Sequence, residues 1–237
     1  MDTAKINIVE KSFRVIGFPK NPVRKIANAA RVCYDSKPKY LEEETKFVKS
    51  LISAGHLTPF EHVSASVELT CSRATSHEIV RHRLASFNQQ SQRYVDYSKE
   101  ISFVRPIWTY AEYYNEHNEL AEIAYTSWLK QISSIPVQYM TLLGLVKKPE
   151  FARECLPNST ATTIIMTANF REWMHIFDLR AFGKTGRPHP EIKALFSGIY
   201  IAFNAICPEI FDVPDIMTSP FDVIDKTNYG ELYGKCF

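Results

Sequence analysis

Between Ser76 and Tyr97 the chain reads S-H-E-I-V-R-H-R-L-A-S-F-N-Q-Q-S-Q-R-Y-V-D-Y. Arg81, His82 and Arg83 are adjacent, and a run of Ser, Asn and Gln leads on to Arg93 and Tyr94. Arginine and glutamine lose much side-chain entropy when ordered and are seldom buried without partners. A guanidinium presents its donors in a planar fork that fits phosphate or carboxylate. Guanidiniums flanked by hydroxyl and amide groups therefore suit a small polyanion. The same composition also suits a solvated helix end, and the rest of the chain has to decide between the two.

Arg153, Arg171 and Arg180 join Arg81, Arg83 and Arg93 on or beside segments that otherwise face a core. One such arginine is commonly a structural ion pair, but six would each need an acidic partner. A pocket holding several phosphates would use them all.

Other chemistries fit less well. Proline separates His56 from His62, His77 and His82 are five apart and off a shared helical face, and no H-E-x-x-H occurs. No metal site is expected. Ser86 and Ser91 lie near His82, but neither has a nucleophile-elbow pattern, so both read as hydrogen-bonding groups for a ligand. Gly183-Lys184-Thr185 lacks the upstream glycine of a Walker A loop.

With 237 residues the chain can bury a sizeable core, and 45% hydrophobic and 23% charged residues are ordinary for a globular protein. A formal charge of +2 argues against a generic polyanion binder while allowing a local basic pocket. Cys33, Cys71, Cys155, Cys207 and Cys236 are scattered, odd in number and without C-x-x-C spacing. They read as reduced thiols in a cytoplasmic protein. No signal-like run precedes them, and no window approaches the roughly eighteen apolar residues of a membrane span.

The elements that must position these groups follow from periodicity. Residues 5–18 alternate loosely and predict a strand or two. Asn21-Pro22 reads as a helix cap with proline in the first turn, and an apolar face continues to about Tyr34. Residues 35–40 read as a loop. A second helix runs from Glu42 to Ala54, with acidic residues first and Gly55 as its stop. Residues 55–62 read as a loop broken by Pro59. Val63 to Thr70 alternates as a half-buried strand, and residues 73–83 turn helical, with Glu78, Arg81 and His82 on one face. The Ser/Asn/Gln run reads as a loop and Ile101–Val104 as a strand. Thr109 to Leu145 reads as helical with a break near Pro136. A short helix follows at Pro149, then a strand over Thr160–Ala168, a helix over Phe170–Phe182, a turn-rich loop over 183–190 and a helix over Glu191–Ile206. No repeat or linker is evident, so one α/β domain over 1–237 is expected, with an irregular tail from about 208.

Arg81-His82-Arg83, seven residues and then Ser91 resembles the R-H-R-x7-S hallmark of the flavin-dependent thymidylate synthase family. Gly55-His56-Leu57-Thr58-Pro59-Phe60-Glu61-His62 is similar to the family's G-H-x-T-P-F-E-H, and Ala29-Ala30-Arg31-Val32 to its A-A-R-V. Ala152-Arg153 with Leu156-Pro157 resembles A-R-x-x-L-P, and Asn169 to Arg180 resembles N-x-R-x8-R. These blocks occur in family order from about residue 22 to 195.

The resemblance implies an α/β (α+β) fold with an antiparallel sheet flanked by helices, assembled as a homotetramer with shared active sites. It implies methylation of dUMP to dTMP, with methylene tetrahydrofolate as carbon donor and FAD reduced by NADPH. Thr58, Arg81, His82, Arg83, Asn169, Arg171 and His175 would bind FAD. Glu78, Arg81, Gln90, Ser91, Gln92, Arg93, Arg153 and Arg180 would bind dUMP, and Gln89 would lie where the two ligands meet. His56 would stand on the folate or flavin side. Arg180 would activate the uracil ring without an enzyme nucleophile, because a guanidinium stays protonated and stabilises developing negative charge. Glu78 stands where some members carry Gln, and loop 183–190 does not align.

A non-catalytic nucleotide- or RNA-binding module is the main rival. Near-neutral charge and the lack of an RNP or KH pattern weigh against it and against a nucleic-acid partner. A metal-dependent phosphohydrolase is a weaker third reading.

Overall fold

The computed structural model describes residues 4–33, 35–36, 41–110, 118–212 and 223–233. Its main sheet has five strands in the order β4 (Ser86–Gln89), β6 (Ala161–Asn169), β3 (Ser64–Ser72), β2 (Ser12–Gly17) and β7 (Ile224–Asp225). Every neighbouring pair is antiparallel except β2 with β7. The alternation seen in the sequence sets which way the sheet faces. Ala65, Val67, Leu69 and Cys71 of β3 point inward, as do Thr162, Ile164, Met166 and Ala168 of β6.

Helices cover that inward face: α1 (Pro22–Val32), α2 (Leu41–Ser53), α7 (Phe170–Arg180) and α8 (Pro190–Ile206). Aromatic side chains fill the space between α7, α8 and the sheet. Trp173 meets Phe203 edge to face at 5.0 Å, and its indole N–H donates to the Ala65 carbonyl at 3.1 Å.

A second, smaller core lies beneath β1 (Lys5–Val9), which pairs in parallel with β5 (Glu100–Val104). Two helices, α4 (Asn118–Ser133) and α5 (Ile135–Val146), close it around Trp128, Ile132 and Tyr139. The amide of Val104 donates to Ser159 at 2.9 Å, joining this unit to the start of β6.

Several local expectations need correction. Asn21 does precede a helix, but at φ 52 with no side-chain bond to the first turn. Residues 58–62 form a 3-10 helix rather than a loop, because Pro59 sits in its first turn where no amide is needed. The helix at 73–83 ends early: α3 covers Arg73–Ile79, and Val80 caps it. Arg81 and His82 then make i+3 bonds to Glu78 and Ile79, a tightened turn that carries the two arginines outward and the histidine inward. Glu78, Arg81 and His82 thus do not share a helical face. The Ser/Asn/Gln run is partly the strand β4, paired along one edge to β6.

The break in the long helical stretch falls at Ser134, with Pro136 inside the first turn of α5; residues 111–117 of that stretch lie outside the described residues. The tail is not wholly irregular. It contributes β7, on the edge of β2, and a short helix α9 (Tyr229–Tyr233). Val15 donates to the Thr227 hydroxyl at 3.0 Å, and Lys226 donates to the Phe13 carbonyl at 2.8 Å. A 3-10 turn over Ile107–Thr109 follows β5, and the short helix α6 (Pro149–Ala152) with a 3-10 turn over Arg153–Cys155 precedes β6. Among the described residues no helix is long and apolar enough to cross a membrane.

Candidate active site

α3 is the spine of the site. The Ser72 hydroxyl caps it by accepting from the Thr75 amide at 3.1 Å. Two side chains of α3 then reach two different groups of the expected residues.

The first group joins α3 to the end of α7. Arg180 donates from Nε to His82 Nε2 at 3.1 Å and from Nη1 to Glu78 Oε2 at 3.4 Å. His82 is buried, its ring lying 6.4 Å from that of Phe196. Burial, then the Arg180 guanidinium, then His175 lower its pKa to about 4. The imidazole is therefore neutral at ordinary pH. Its Nδ1 faces Glu172 Oε1 at 3.9 Å. Glu172 is buried in the first turn of α7, and burial raises its carboxyl above the usual range. The turn thus brings His82, expected on the flavin side, against Arg180 and Glu78, expected on the nucleotide side.

The second group joins α3 to β4 and the segment after it. The Gln89 amide donates to the Ser76 hydroxyl at 2.9 Å and to the Thr162 hydroxyl at 3.2 Å. Gln90 continues the ladder, its amide donating to the Thr163 carbonyl at 2.9 Å. The Arg93 amide donates to the Ser91 hydroxyl at 3.2 Å, closing a turn over 91–95. Arg93 pairs loosely with Glu150 of α6 at 3.7 Å, and Arg153, just after α6, with Glu154 at 3.7 Å. Gln92 is half-buried in the same segment. A cleft of about 300 Å³ opens beside Gln90, between Thr162 and Thr163 of β6 and Tyr97 and Glu100 near β5.

A third group lies along α7 before Arg180 and, among the described residues, shares no hydrogen bond or ion pair with the expected residues of the first two. Arg171 pairs with Glu61 of the 3-10 turn that begins at Thr58, and His56 stands exposed just before it. Arg171 and Arg180 sit nine residues apart on α7, about 14 Å along its axis. Asn169 caps α7, its Oδ1 accepting from the Glu172 amide at 2.9 Å. His175 is exposed on the same helix.

Arg73 was missed. Its guanidinium donates to the Gln90 carbonyl at 3.1 Å and to the Thr162 hydroxyl at 3.2 Å, fixing the segment that carries Ser91 and Arg93. An arginine just behind a strand, outside any matched motif, gives no sequence signal of that role.

Nucleophile readings fail on geometry. The accepting nitrogen of His82 is taken by Arg180, and Ser91 is tied to its own turn. Cys71 and Cys207 are buried, and burial pushes both thiols up, Cys207 to about 12. Among the described residues, no group of three or more His, Cys, Asp or Glu side chains could hold a metal ion.

The model of the family described as thymidylate synthase complementing protein matches residues 14–209. A flavin-dependent thymidylate synthase of Geobacter sulfurreducens is 33% identical over 210 residues, covering 84% of this chain and 86% of its own. One from Clostridium tetani is 31% identical over 218 residues, covering 84% of each chain. Among solved structures, the UMP/dUMP methylase PolB of Streptomyces cacaoi bound with 5-Br UMP shares the fold at a TM-score of 0.74 and 22% identity, over 87% of this chain and 95% of that one. The motifs around Arg81, the family match over most of the chain and the shared fold lead to one conclusion: this chain belongs to the thymidylate synthase complementing protein family, the flavin-dependent thymidylate synthases.

Proposed function

We propose that this enzyme methylates dUMP to dTMP and that Arg180 activates the uracil ring. The observation that carries this is the state of the Arg180 guanidinium. It is permanently charged, mostly shielded from solvent and held at two points, by His82 and Glu78, and among the described residues its Nη2 donates to none. A donor fixed before the substrate arrives stabilises charge developing on the ring without reorganising.

Segment 89–93 is the nucleotide side. Ser91, Gln90 and Gln92 supply neutral donors, and Arg93 and Arg153 make only loose, half-exposed ion pairs that a phosphate can replace.

The turn at 81–83 and the group at the start of α7 together fit a flavin pyrophosphate. Arg81 and Arg83 are exposed and make no ion pair among the described residues. Arg171 is held only by a half-exposed pair with Glu61, and Asn169 keeps its amide donors while its oxygen caps α7. Thr58 and His175 are exposed nearby on the 3-10 turn and α7. When bound, FAD would supply the hydride and relay the carbon, with NADPH as reductant and methylene tetrahydrofolate as carbon source. His56 would stand on that side.

A homotetramer with shared sites suits the way these groups face. Arg81, Arg83 and Arg93 all point to solvent instead of closing over one cavity of a single chain.

The test is dTMP formation from dUMP with FAD, NADPH and methylene tetrahydrofolate, omitting each in turn. Product should require all of them, and the purified protein should take up flavin and turn yellow. A protein that stays colourless with added FAD and makes no dTMP sinks the proposal.

A further inference from the structure

In the reading above, Arg180 works through the orientation of its guanidinium plane. Of the two points that hold the plane, Glu78 is 39% exposed, whereas the His82 side chain is 5% exposed. The firm point is therefore His82.

An arginine Nε always carries hydrogen, so His82 Nε2 must accept from it. A neutral imidazole that accepts at Nε2 holds its proton on Nδ1. Nδ1 is the nitrogen that faces the Glu172 carboxylate. At 3.9 Å the two do not make a hydrogen bond, but a buried negative charge at that range favours the tautomer that puts N–H toward it. The ring is faced from α7 by Arg180, His175 and Glu172, and from α8 by Phe196.

Glu172 is an odd residue to bury for packing alone. Its side chain is 7% exposed, in a helix whose other buried members are Phe170, Trp173, Ile176 and Phe177. Its backbone amide is already capped by Asn169, so the carboxylate is not needed to satisfy the helix end. Eight residues, just over two turns, separate Glu172 from Arg180 on α7, and His82 bridges that span from the neighbouring turn.

We infer that Glu172 is a positioning residue: its carboxylate, facing Nδ1, holds the His82 ring in the orientation in which Nδ1 keeps the proton and Nε2 meets the Arg180 Nε–H, and the ring so held fixes the plane of Arg180. The assignment of a consequence for catalysis rests on the role proposed for Arg180, but the tautomer does not.

The test uses the full chain with isotope-labelled histidine and nitrogen NMR. At neutral pH, His82 should carry its proton on Nδ1 in the wild-type protein. Glu172→Gln should let the ring turn away from the Arg180 Nε–H, and with that bond weakened both tautomers should be populated. The same variant should lower kcat for dUMP about tenfold to a hundredfold while KM for dUMP moves less than about threefold. His82→Gln, whose amide oxygen can accept from Arg180, should retain more activity than His82→Leu.

An Nε2–H tautomer in the wild-type protein overturns the inference. So does a Glu172→Gln protein whose His82 tautomer is unchanged, whatever its rate, and so does a released tautomer with unaltered kcat. If the wild-type enzyme makes no dTMP under complete conditions, the proposed activity fails, while the tautomer still reports on the Glu172–His82–Arg180 arrangement by itself.

Discussion

The turn at 81–83 and the segment 89–93 stand at the two ends of β4 and are built in opposite ways. In the turn, His82 is buried, neutral and bonded to Arg180, while Arg81 and Arg83 on either side of it are exposed. In the segment, the backbone itself is held, by the β6 ladder at Gln90 and by the Arg73 guanidinium on the Gln90 carbonyl. The turn therefore offers charge on long side chains that must be ordered when an anion arrives. The segment offers the Ser91 hydroxyl, side-chain amides and one guanidinium on a backbone that is already ordered. Ordering an Arg or Gln side chain costs about 1.5–2 kcal/mol in either region, so the segment's advantage in specificity lies in its ordered backbone, while the turn relies on charge.

Removing Arg180 should break the turn's half of the contrast most severely. Arg180→Ala takes away a preorganised donor, and kcat should fall at least about 10²–10³-fold with flavin still taken up. Steady-state rates and flavin absorbance on the same sample check this. Near-normal turnover would move the activating role elsewhere.

Acid should act on the same region through His82. Burial holds its pKa at about 4 in the folded chain, against about 6.5 for a free imidazole, so the unfolded chain binds the proton more readily. Stability from this group is complete above about pH 6.5 and is lost progressively as pH falls toward 4, by about 3 kcal/mol at most. Denaturant midpoints between pH 7 and 4 should decline in wild type more steeply than in His82→Gln. Parallel declines would show that the histidine is not the group responsible.

The smallest effect expected is at Arg73, and it sharpens the segment's half. Arg73→Ala frees the Gln90 carbonyl and one partner of Thr162, and dUMP affinity should fall about tenfold while flavin binding stays unchanged. Equal losses of both ligands would mean that the segment and the turn are not independent.

Much of this was legible in the residues. β3 alternates cleanly because one of its faces lies on helices, β6 is legible from its β-branched run, and α7 and α8 show apolar stripes where they face the sheet. The arginines and the R-H-R run point to a candidate polyanion pocket from residue types and spacing alone.

What stayed hidden depends on distant partners. β4 is rich in Ser, Asn and Gln, poor strand formers, and becomes a strand because β6 offers it an edge. α3 stops at Ile79 with no glycine or proline to announce it; there, the turn lets His82 enter the core against α7 and α8. The parallel pairing of β1 with β5 spans some ninety residues and has no local signature. Arg73 acts through a backbone carbonyl, which no pattern of side chains records.

The strand β7 has a consequence for synthesis. It covers the edge of β2, yet the bond from Val15 reaches Thr227, 212 residues further along the chain. At about 5–20 residues per second, a ribosome takes on the order of ten seconds or more to make that stretch. For all of that time the edge of β2 has no β7 to pair with. An open edge is a template for pairing with another nascent chain. The tail is thus a late cover, and the interval before it arrives is when the growing chain most needs a chaperone.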